Sequence, residues 1–312
     1  MVNAEVPQAT LPNLTGIVDA NRRTDLVMAG IGISVLIVAM SLLAAVVIDL
    51  IVGGWPRLIN PDFYLNFPSR HPLQAGIVSA WVGTILAMLV TAGIAIPLGV
   101  GAGVYLEEYA ARNWITDFIE INVSNLAGVP SIIYGLLALG LFIHGFGLGE
   151  TILTAGLVLA LLILPVIIVS TREAIRGIPL DLREAAYGLG ADKWQTVRLY
   201  VLPAARSGIL TGTIVGLARA IGEAAPVITI GALTFIAFLP PSPLQASPPF
   251  INFEWLESPF TIMPIQMFNW VSRPQAEFHI NAAAAGVILM VMTLAMNGVA
   301  IWLRYHLRRQ VR

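Results

Sequence analysis

The stretch LVMAGIGISVLIVAMSLLAAVVIDLIV, residues 26–52, decides the fold class of this chain. Asp49 is its only charged residue. A helix of about 20 apolar residues is long enough to cross the roughly 30 Å hydrocarbon core of a bilayer. Similar runs recur along the chain, which predicts an all-α polytopic membrane protein with six transmembrane helices. The five further predicted spans are residues 77–104, 121–143, 151–170, 207–238 and 281–303.

The composition agrees with a membrane protein and excludes several kinds of site. Of the 312 residues, 57% are hydrophobic and only 11% are charged, about half the charged fraction of a soluble domain. The net charge of −1 gives no reason to expect nucleic acid. The absence of cysteine excludes disulfides and thiolate metal sites. The four histidines lack metal-ligand spacing, and no Walker-type glycine-rich loop is present, so we expect no metal and no cofactor in this chain.

The distribution of Lys and Arg predicts the orientation, because cytoplasmic loops carry an excess of both. With the N-terminus in the cytoplasm, the opposite side holds only Arg57, Arg70 and Arg273. Both termini are therefore predicted to be cytoplasmic, with tails at residues 1–25 and 304–312. The predicted cytoplasmic cations are Arg22, Arg23, Arg112, Arg172, Arg176, Arg183, Lys193, Arg198, Arg206, Arg304, Arg308, Arg309 and Arg312.

Between the tails, residues 26–303 form one predicted transmembrane domain with two long loops. The cytoplasmic loop covers residues 171–206, and the proline-rich external loop covers residues 239–280. The later part of the external loop, PFTIMPIQMFNWVSRP at 259–274, is apolar but broken by proline and too short to span. Two interpretations are open: an ordered loop that covers helix ends, or a surface on which a partner docks.

The cytoplasmic loop contains IPLDLREAAYGLGADKWQTVRLYVLP at residues 178–203, which predicts two short helices at the membrane surface. Gly190 suits the left-handed residue that ends the first helix. Asp192 can cap the second helix, and Gln195 is placed to complete a capping box. Pro203 is predicted to start the return into the membrane.

This segment resembles the EAA loop of ABC importer permeases, whose pattern is E-A-A, three residues, G, nine residues and I-x-L-P. Tyr200 stands where isoleucine is usual. In that family the loop is a coupling helix seated in a cleft of the cytoplasmic ATPase, and its glutamate commonly faces a basic residue of the ATPase. The resemblance therefore implies a type I ABC importer permease fold, with Glu184 at the ATPase contact. The matching positions are Glu184, Ala185, Ala186, Gly190, Leu202 and Pro203.

Three further segments, residues 125–142, 218–228 and 259–285, resemble the PstA family of permease subunits of bacterial phosphate importers. The last block points to this family rather than to its homologous partner family, PstC. The resemblance implies a multi-pass permease of the bacterial inner membrane, which is not itself an enzyme. The alternatives left open are a permease for another oxyanion, such as sulfate or molybdate, and a secondary transporter or channel that needs no ATPase.

The same resemblance implies the partners. A second, PstC-like permease would form the phosphate path together with this chain. Two PstB-like ATPase subunits would bind ATP and Mg²⁺, and an extracytoplasmic PstS-like protein would deliver phosphate.

The third span is predicted to be a broken helix, because Gly128 and Pro130 interrupt it. Broken transmembrane helices commonly line transport sites. The side chains beside the break, Asn125, Ser131 and Tyr134, are therefore candidates for the substrate path. The alternative is that these side chains satisfy one another between packed helices.

The fifth span carries LARAIGEAAPVI at residues 217–228. Arg219 lies roughly 18 Å of helix from the cytoplasmic end of the span, near the bilayer midplane, where a lone charge costs at least about 2.5–3.5 kcal/mol. Glu223 follows four residues later. Gly222 and Pro226 weaken the helix beside these charges, and Pro226 is expected to leave a carbonyl free near them.

Two stripes run along the fifth span. One consists of small residues at every fourth position, which permits close packing against a neighbouring helix. The adjacent stripe is polar except at Val215 and adds Thr211 to the candidate path. The small stripe is Gly208, Gly212, Gly216, Ala220 and Ala224, and the polar stripe is Ser207, Thr211, Arg219 and Glu223.

Two interpretations of Arg219 and Glu223 are open. In the first, they form an i,i+4 ion pair that locks the bundle, although such pairs contribute only about 0.2–0.5 kcal/mol in isolated helices. In the second, Arg219 binds phosphate, since its guanidinium offers two donors that match phosphate geometry. Glu223 would then orient Arg219 and keep the anion from being held too tightly for release.

Overall fold

The computed structural model describes residues 14–232, 235–245 and 250–309. Parts of both predicted tails and of the predicted external loop lie outside these ranges. Within them the chain is almost entirely helical, and its only β-type pairing is an isolated bridge between Leu244 and Ile251.

The helices are numbered in chain order. Short π-helical turns continue α3 at Tyr105–Tyr109, α5 at Leu139–Gly145 and α8 at Val197–Val201, and a 3₁₀ turn lies at Glu254–Glu257. The α-helices in the described ranges are α1 (Leu14–Leu58), α2 (Pro61–Leu65), α3 (Val78–Val104), α4 (Trp114–Leu126), α5 (Ser131–Ala138), α6 (Ile152–Arg176), α7 (Leu180–Gly188), α8 (Lys193–Thr196), α9 (Leu202–Gly222), α10 (Ala225–Thr229), α11 (Met263–Val271) and α12 (Ala276–Arg309).

The structure confirms the all-α polytopic fold class. Five helical segments are long and apolar enough to cross a membrane. A sixth span results if α4 and the run Ser131–Gly145, bent by 107° at their junction, are one broken span. The five segments are Thr24–Leu58, Val78–Tyr109, Ile152–Arg176, Lys193–Gly222 and Ala276–His306.

Two compact units make up the chain. The first ends at Val52 and contains most of α1, which begins at Leu14, earlier than the predicted span start. The second unit begins at Gly53. It contains every candidate site residue and residues 178–203, which are called the coupling loop below after the family loop that they resemble.

The fifth span, predicted at residues 207–238, is not one continuous helix with these limits. The helical run begins at Lys193 and ends at Gly222. Pro203 does not start this run, because helical structure already extends from Lys193; Pro203 lies where the π-helical turn Val197–Val201 continues into α9.

The second unit is built around α6, which packs along α3 and α9. Small residues bring the helices close together. A Cβ atom on Gly103 of α3 would lie 2.7 Å from Cβ of Thr171, and the Thr91 hydroxyl of α3 donates to the Gly156 carbonyl at 3.2 Å. Close packing at small residues therefore holds α3 against α6, in addition to the burial of apolar side chains.

The predicted small stripe of the fifth span packs against α6. A Cβ atom added to Gly208 would lie 2.5 Å from Cβ of Ala174, and one added to Gly212 would collide with Ser170. These contacts confirm the close-packed face. In the neighbouring stripe, Thr211, Val215 and Arg219 are exposed in the single chain, whereas Ser207 and Glu223 are half-buried.

At the end of the bundle opposite the coupling loop, residues 259–274 contain α11. Met263 and Trp270 of α11 are fully buried, and the Met263 amide donates to the Thr84 hydroxyl of α3 at 2.9 Å. Nearby, the Ile152 amide at the start of α6 donates to the Ser258 carbonyl at 3.1 Å. These contacts favour an ordered loop that covers helix ends over a docking surface.

Candidate functional site

The coupling loop forms the two short helices that its sequence predicts. Gly190 follows α7 with φ +86°, the left-handed conformation that glycine adopts without strain. Asp192 and Gln195 form the predicted capping box at the start of α8. Leu202 packs against the small apolar cluster that contains Ile175 of α6, so the loop returns directly onto the bundle.

The two sides of α7 differ sharply. Glu184 and Ala185 are exposed, and Leu189 just after the helix is 81% accessible. Ala186 is buried, and the neighbouring Arg183 side chain is only 14% accessible. One side of α7 therefore faces outward with an apolar and acidic surface, while the other is anchored to the chain's own helices.

The predicted break in the third span separates α4 from α5. The chain turns through Ala127–Pro130, with the Gly128 amide bonded to the Asn125 carbonyl at 3.0 Å. The buried Tyr134 hydroxyl of α5 donates to the Leu126 carbonyl of α4 at 2.7 Å. Tyr134 thus holds the two halves of the broken helix together, in addition to its candidate role in the path.

A second break divides the fifth span. The sequence predicted a helix that continues through Glu223, and this prediction is wrong. Helix α9 ends at Gly222, and Glu223 has an extended backbone (φ −80°, ψ 120°). Pro226 lies in the first turn of α10, where no helical N–H bond is lost. The sequence predicted a continuous helix in which Pro226 leaves one carbonyl without a partner. The structure instead interrupts the helix completely between Gly222 and Ala225.

The two broken spans meet where α5 packs against α10. A Cβ atom on Gly135 would lie 2.6 Å from the Pro226 carbonyl oxygen and would collide with the Thr229 hydroxyl. Only a glycine at this position lets the two short helices approach so closely. The contact holds the two interruptions beside one another.

We expect Gly135→Ala to destabilise the chain by about 1–3 kcal/mol, the usual cost of overpacking a filled site. The reason is that the neighbouring atoms include backbone, which cannot rotate away. Thermal unfolding of the purified protein in detergent measures the loss. Gly140→Ala is the matched control, because a Cβ atom there meets nothing within 4 Å. Equal stability of the two variants would contradict the packing argument.

Arg219 and Glu223 form an ion pair across the second break. The Arg219 Nε atom lies 3.3 Å from Glu223 Oε1, and the two side chains are 37% and 20% accessible. In the described part of the chain, Arg219 has no other hydrogen-bond partner, so both terminal nitrogens of the guanidinium remain available.

The other candidate path residues take different positions. Thr211 is exposed on the same face as Arg219, about 12 Å along the helix, and its hydroxyl accepts from Arg304 Nη1 of α12 at 2.9 Å. Asn125 is exposed near the end of α4, and Ser131 is half-buried at the start of α5. These two side chains flank the first break.

Sequence reasoning missed a set of ion pairs at the coupling end. We call it the ion network. Its only sequence signals are the adjacent acidic residues after α3 and two arginines four apart on α6. Arg172 was expected in a loop, but it lies in α6 and is buried. The members of the ion network are Glu107, Glu108, Glu120, Arg172, Arg176 and Arg183.

No group of three or more His, Asp or Glu side chains suitable for a metal ion occurs in residues 14–232, 235–245 and 250–309. Arg219 offers a guanidinium that can bind an anion, with the Glu223 carboxylate beside it.

Comparison with family models gives a match over residues 95–312 to the binding-protein-dependent transport system inner membrane component family. A probable ABC transporter permease of Bacillus subtilis, YqgI, is 33% identical over 84% of this chain and 91% of its own length. Phosphate transport system permease protein PstA 1 of Mycobacterium tuberculosis H37Rv is 30% identical over 84% and 81%. PstC of Haemophilus influenzae is 34% identical over 62% and 69%.

Solved structures share the fold at low sequence identity. A bacterial alginate ABC transporter, in complex with its alginate-bound periplasmic protein, matches with a TM-score of 0.65 and 13% identity over 93% of this chain and 97% of the other. The inward-facing MetNI methionine ABC transporter matches with a TM-score of 0.55 and 17% identity over 72% and 93%. The fold is that of type I ABC importer permeases.

Proposed function

Because the chain belongs to the family of binding-protein-dependent transport system inner membrane components, we propose that it is the permease subunit of an ATP-driven phosphate importer. Membership makes it a multi-pass membrane subunit of an ABC importer. The observation that carries an anion as the substrate is the Arg219–Glu223 pair at a helix break. The names of the PstA and PstC relatives support phosphate as that anion.

Arg219 is the proposed phosphate ligand. Its pairing with Glu223 uses only Nε, which leaves Nη1 and Nη2 to donate to two phosphate oxygens. A bidentate guanidinium–phosphate contact is strong and directional. The exposed stripe of α9 on which Arg219 lies would face the path in the assembled transporter.

Glu223 prevents the anion from being trapped. Its carboxylate lowers the net positive charge at the site, and it competes with phosphate for the Arg219 guanidinium. Each transport cycle must release its substrate, so a site of moderate strength is required. Because Glu223 lies on extended backbone after α9, it can move relative to Arg219 without unwinding a helical turn.

A second, homologous permease, PstC-like in type, completes the path. In the single chain the face of Thr211, Val215 and Arg219 is exposed, and a path between two permeases would cover it. An extracytoplasmic phosphate-binding protein delivers the substrate at the end that holds α11. The end that holds α7 is cytoplasmic in this arrangement.

Two ATPase subunits drive the cycle, and one of them docks on α7. The exposed side of α7, with Glu184, Ala185 and Leu189, offers a glutamate for a basic partner and small and apolar residues for a cleft. Closure of the ATPases on ATP would move α7 and switch the access of the path. ATP and Mg²⁺ belong to the ATPases, and this chain needs no cofactor.

Transport in proteoliposomes tests the proposal. The permease is co-purified with its neighbouring permease and ATPase gene products, and uptake of ³²P-phosphate is followed with the phosphate-binding protein outside and ATP inside. We expect ATP-dependent phosphate uptake that excess sulfate or molybdate does not inhibit. Uptake of sulfate or molybdate in place of phosphate would assign the chain to another oxyanion. Uptake without ATPase subunits would refute the ABC mechanism.

A further inference from the structure

Helix α4 carries part of the candidate path but has little packing of its own. It runs from Trp114 to Leu126, and none of its residues is buried. Among the helices of the chain, its most extensive contact is with α6. Within this contact, Glu120 forms an ion pair with Nη2 of Arg172. In the described part of the chain this is the one ion pair that α4 makes, so it is the strongest polar constraint on the position of α4 relative to α6.

Arg172 lies at the centre of the ion network. Its side chain is only 7% accessible, and besides Glu120 it pairs through Nε with Glu107 Oε2 at 3.5 Å. A buried guanidinium is stable only when carboxylates compensate it. Arg172 is therefore compensated by two carboxylates, one on α4 and one at the end of α3, and Glu107 still compensates it when Glu120 is neutral.

The network continues from Glu107 and Glu108 to α7. Arg176 of α6 binds Glu107 with Nε at 3.2 Å and Nη2 at 3.0 Å. Arg183 of α7 binds Glu108 with Nη2 at 2.8 Å and Nε at 3.2 Å. The Arg176–Glu107 pair is bidentate, whereas both Arg183 nitrogens donate to one oxygen, Glu108 Oε1. Together these contacts join α6 and α7 to the end of α3.

Arg183 also closes the end of α6. Its Nη1 donates to the Ile178 carbonyl at 3.0 Å, and its Nη2 donates to the Ile175 carbonyl at 3.2 Å. A cation at this position satisfies carbonyl groups that the helix end leaves free. Arg183 precedes Glu184 in sequence, so the residue that anchors α7 inward is adjacent to the residue that faces outward.

We propose that the ion network is the mechanical link by which α7 moves α4, and that the Arg172–Glu120 pair is the positioning contact that delivers the movement to the first helix break. This inference rests on the proposed function, since it assumes that an ATPase moves α7. None of the residues of the ion network is one of the matching positions of the EAA pattern.

The route ends at the candidate path. Glu120 lies about 9 Å along α4 from Leu126, whose carbonyl accepts the Tyr134 hydroxyl bond. Asn125 lies in the same last turn of α4. A shift of α4 at Glu120 therefore displaces Asn125 and strains the contact that joins α4 to α5, and α5 in turn packs on α10 beside the Arg219–Glu223 pair.

Glu120→Gln tests the link, because it keeps the size of the side chain and removes its charge. Asp117→Asn is the matched control: it makes the same change one turn earlier on α4, and Asp117 has no ion-pair partner within the described residues. The full complex is assayed for ATPase co-purification, ATP hydrolysis and phosphate uptake. Hydrogen exchange of residues 114–126 is compared with and without ATP plus vanadate.

For Glu120→Gln we expect an approximately tenfold drop in phosphate taken up per ATP, with co-purification and basal hydrolysis unchanged. The nucleotide-dependent change in exchange of α4, present in the wild type, should disappear. Asp117→Asn should behave as wild type. Unchanged uptake and an unchanged exchange response in Glu120→Gln would overturn the inference, and so would a loss of uptake that only parallels a loss of assembly.

The exchange readout separates this inference from the proposed function. If the wild-type complex imports no phosphate but α4 still responds to nucleotide through Glu120, the link stands and the substrate assignment fails. If phosphate uptake is normal and α4 never responds to nucleotide, the substrate assignment stands and the link fails.

Discussion

Replacing Arg219 with glutamine is expected to abolish phosphate uptake, to below about one hundredth of the wild-type rate, while the complex still assembles. The variant removes a charge-assisted bidentate donor, and each hydrogen bond to a charged group contributes about 1.5–3 kcal/mol. It also leaves Glu223 without its cation, so the site becomes negative and repels the anion. Uptake of ³²P-phosphate and ATPase co-purification, measured on the same membranes, check the result.

Two further variants distinguish a phosphate ligand from a structural ion pair. The double variant Arg219→Gln with Glu223→Gln restores neutrality but supplies no guanidinium, so we expect it to remain inactive. Arg219→Lys keeps the charge but lacks the planar fork that matches phosphate, and it should recover only part of the uptake. Recovery of full uptake in the double variant would mean that Arg219 serves only to neutralise Glu223.

The coupling loop could be predicted in detail, because its structure follows from local chemistry. The capping box of Asp192 and Gln195 and the left-handed Gly190 need no distant contact to form. The first helix break was predictable for the same reason, since Gly128 and Pro130 interrupt any helix locally. Signals of this kind predict local structure correctly because they do not depend on contacts with distant residues.

The end of the fifth span was not predictable from apolarity. Apart from Glu223, the residues after Gly222 remain apolar, yet α9 ends at Gly222 and the separate helix α10 packs on α5. What permits that packing is Gly135, which lies far away in sequence and whose missing side chain makes room for Pro226 and Thr229. Gly222 and Pro226 predict a weakened helix, but the packing of α10 on α5 depends on a distant residue and could not be predicted from this segment alone.

The ion network was missed because its partners are distant in sequence and its cations resemble loop residues. Arg172 follows the last apolar residues of its span and was counted as a cytoplasmic charge. In the structure α6 continues to Arg176, so Arg172 lies inside the helix and is compensated by Glu107 and Glu120. The adjacent glutamates after α3 were visible as an acidic loop, but not as the partners of these arginines.

The other large effect is expected at the coupling helix. Glu184→Arg should detach the ATPase, so that little ATPase co-purifies and phosphate uptake falls about a hundredfold or more. Glu184 is exposed on the outward side of α7, and reversing its charge would set two cations against each other at the proposed contact. Like charges brought together at an interface cost several kcal/mol, and the more conservative Glu184→Gln should lose less.

The contacts of α7 indicate that the loss of ATPase in Glu184→Arg would arise from failed docking and not from misfolding. The contacts that hold α7 in place belong to Arg183, which binds Glu108 and the end of α6, and to the buried Ala186. Glu184→Arg leaves them intact, so the chain should insert and unfold thermally as the wild type does. Glu277→Arg, an equal charge reversal at the exposed start of α12, should retain full ATPase co-purification. If Glu184→Arg retained the ATPase and imported phosphate normally, α7 would be an anchored connector, and the force that opens the path would have to enter the permease elsewhere.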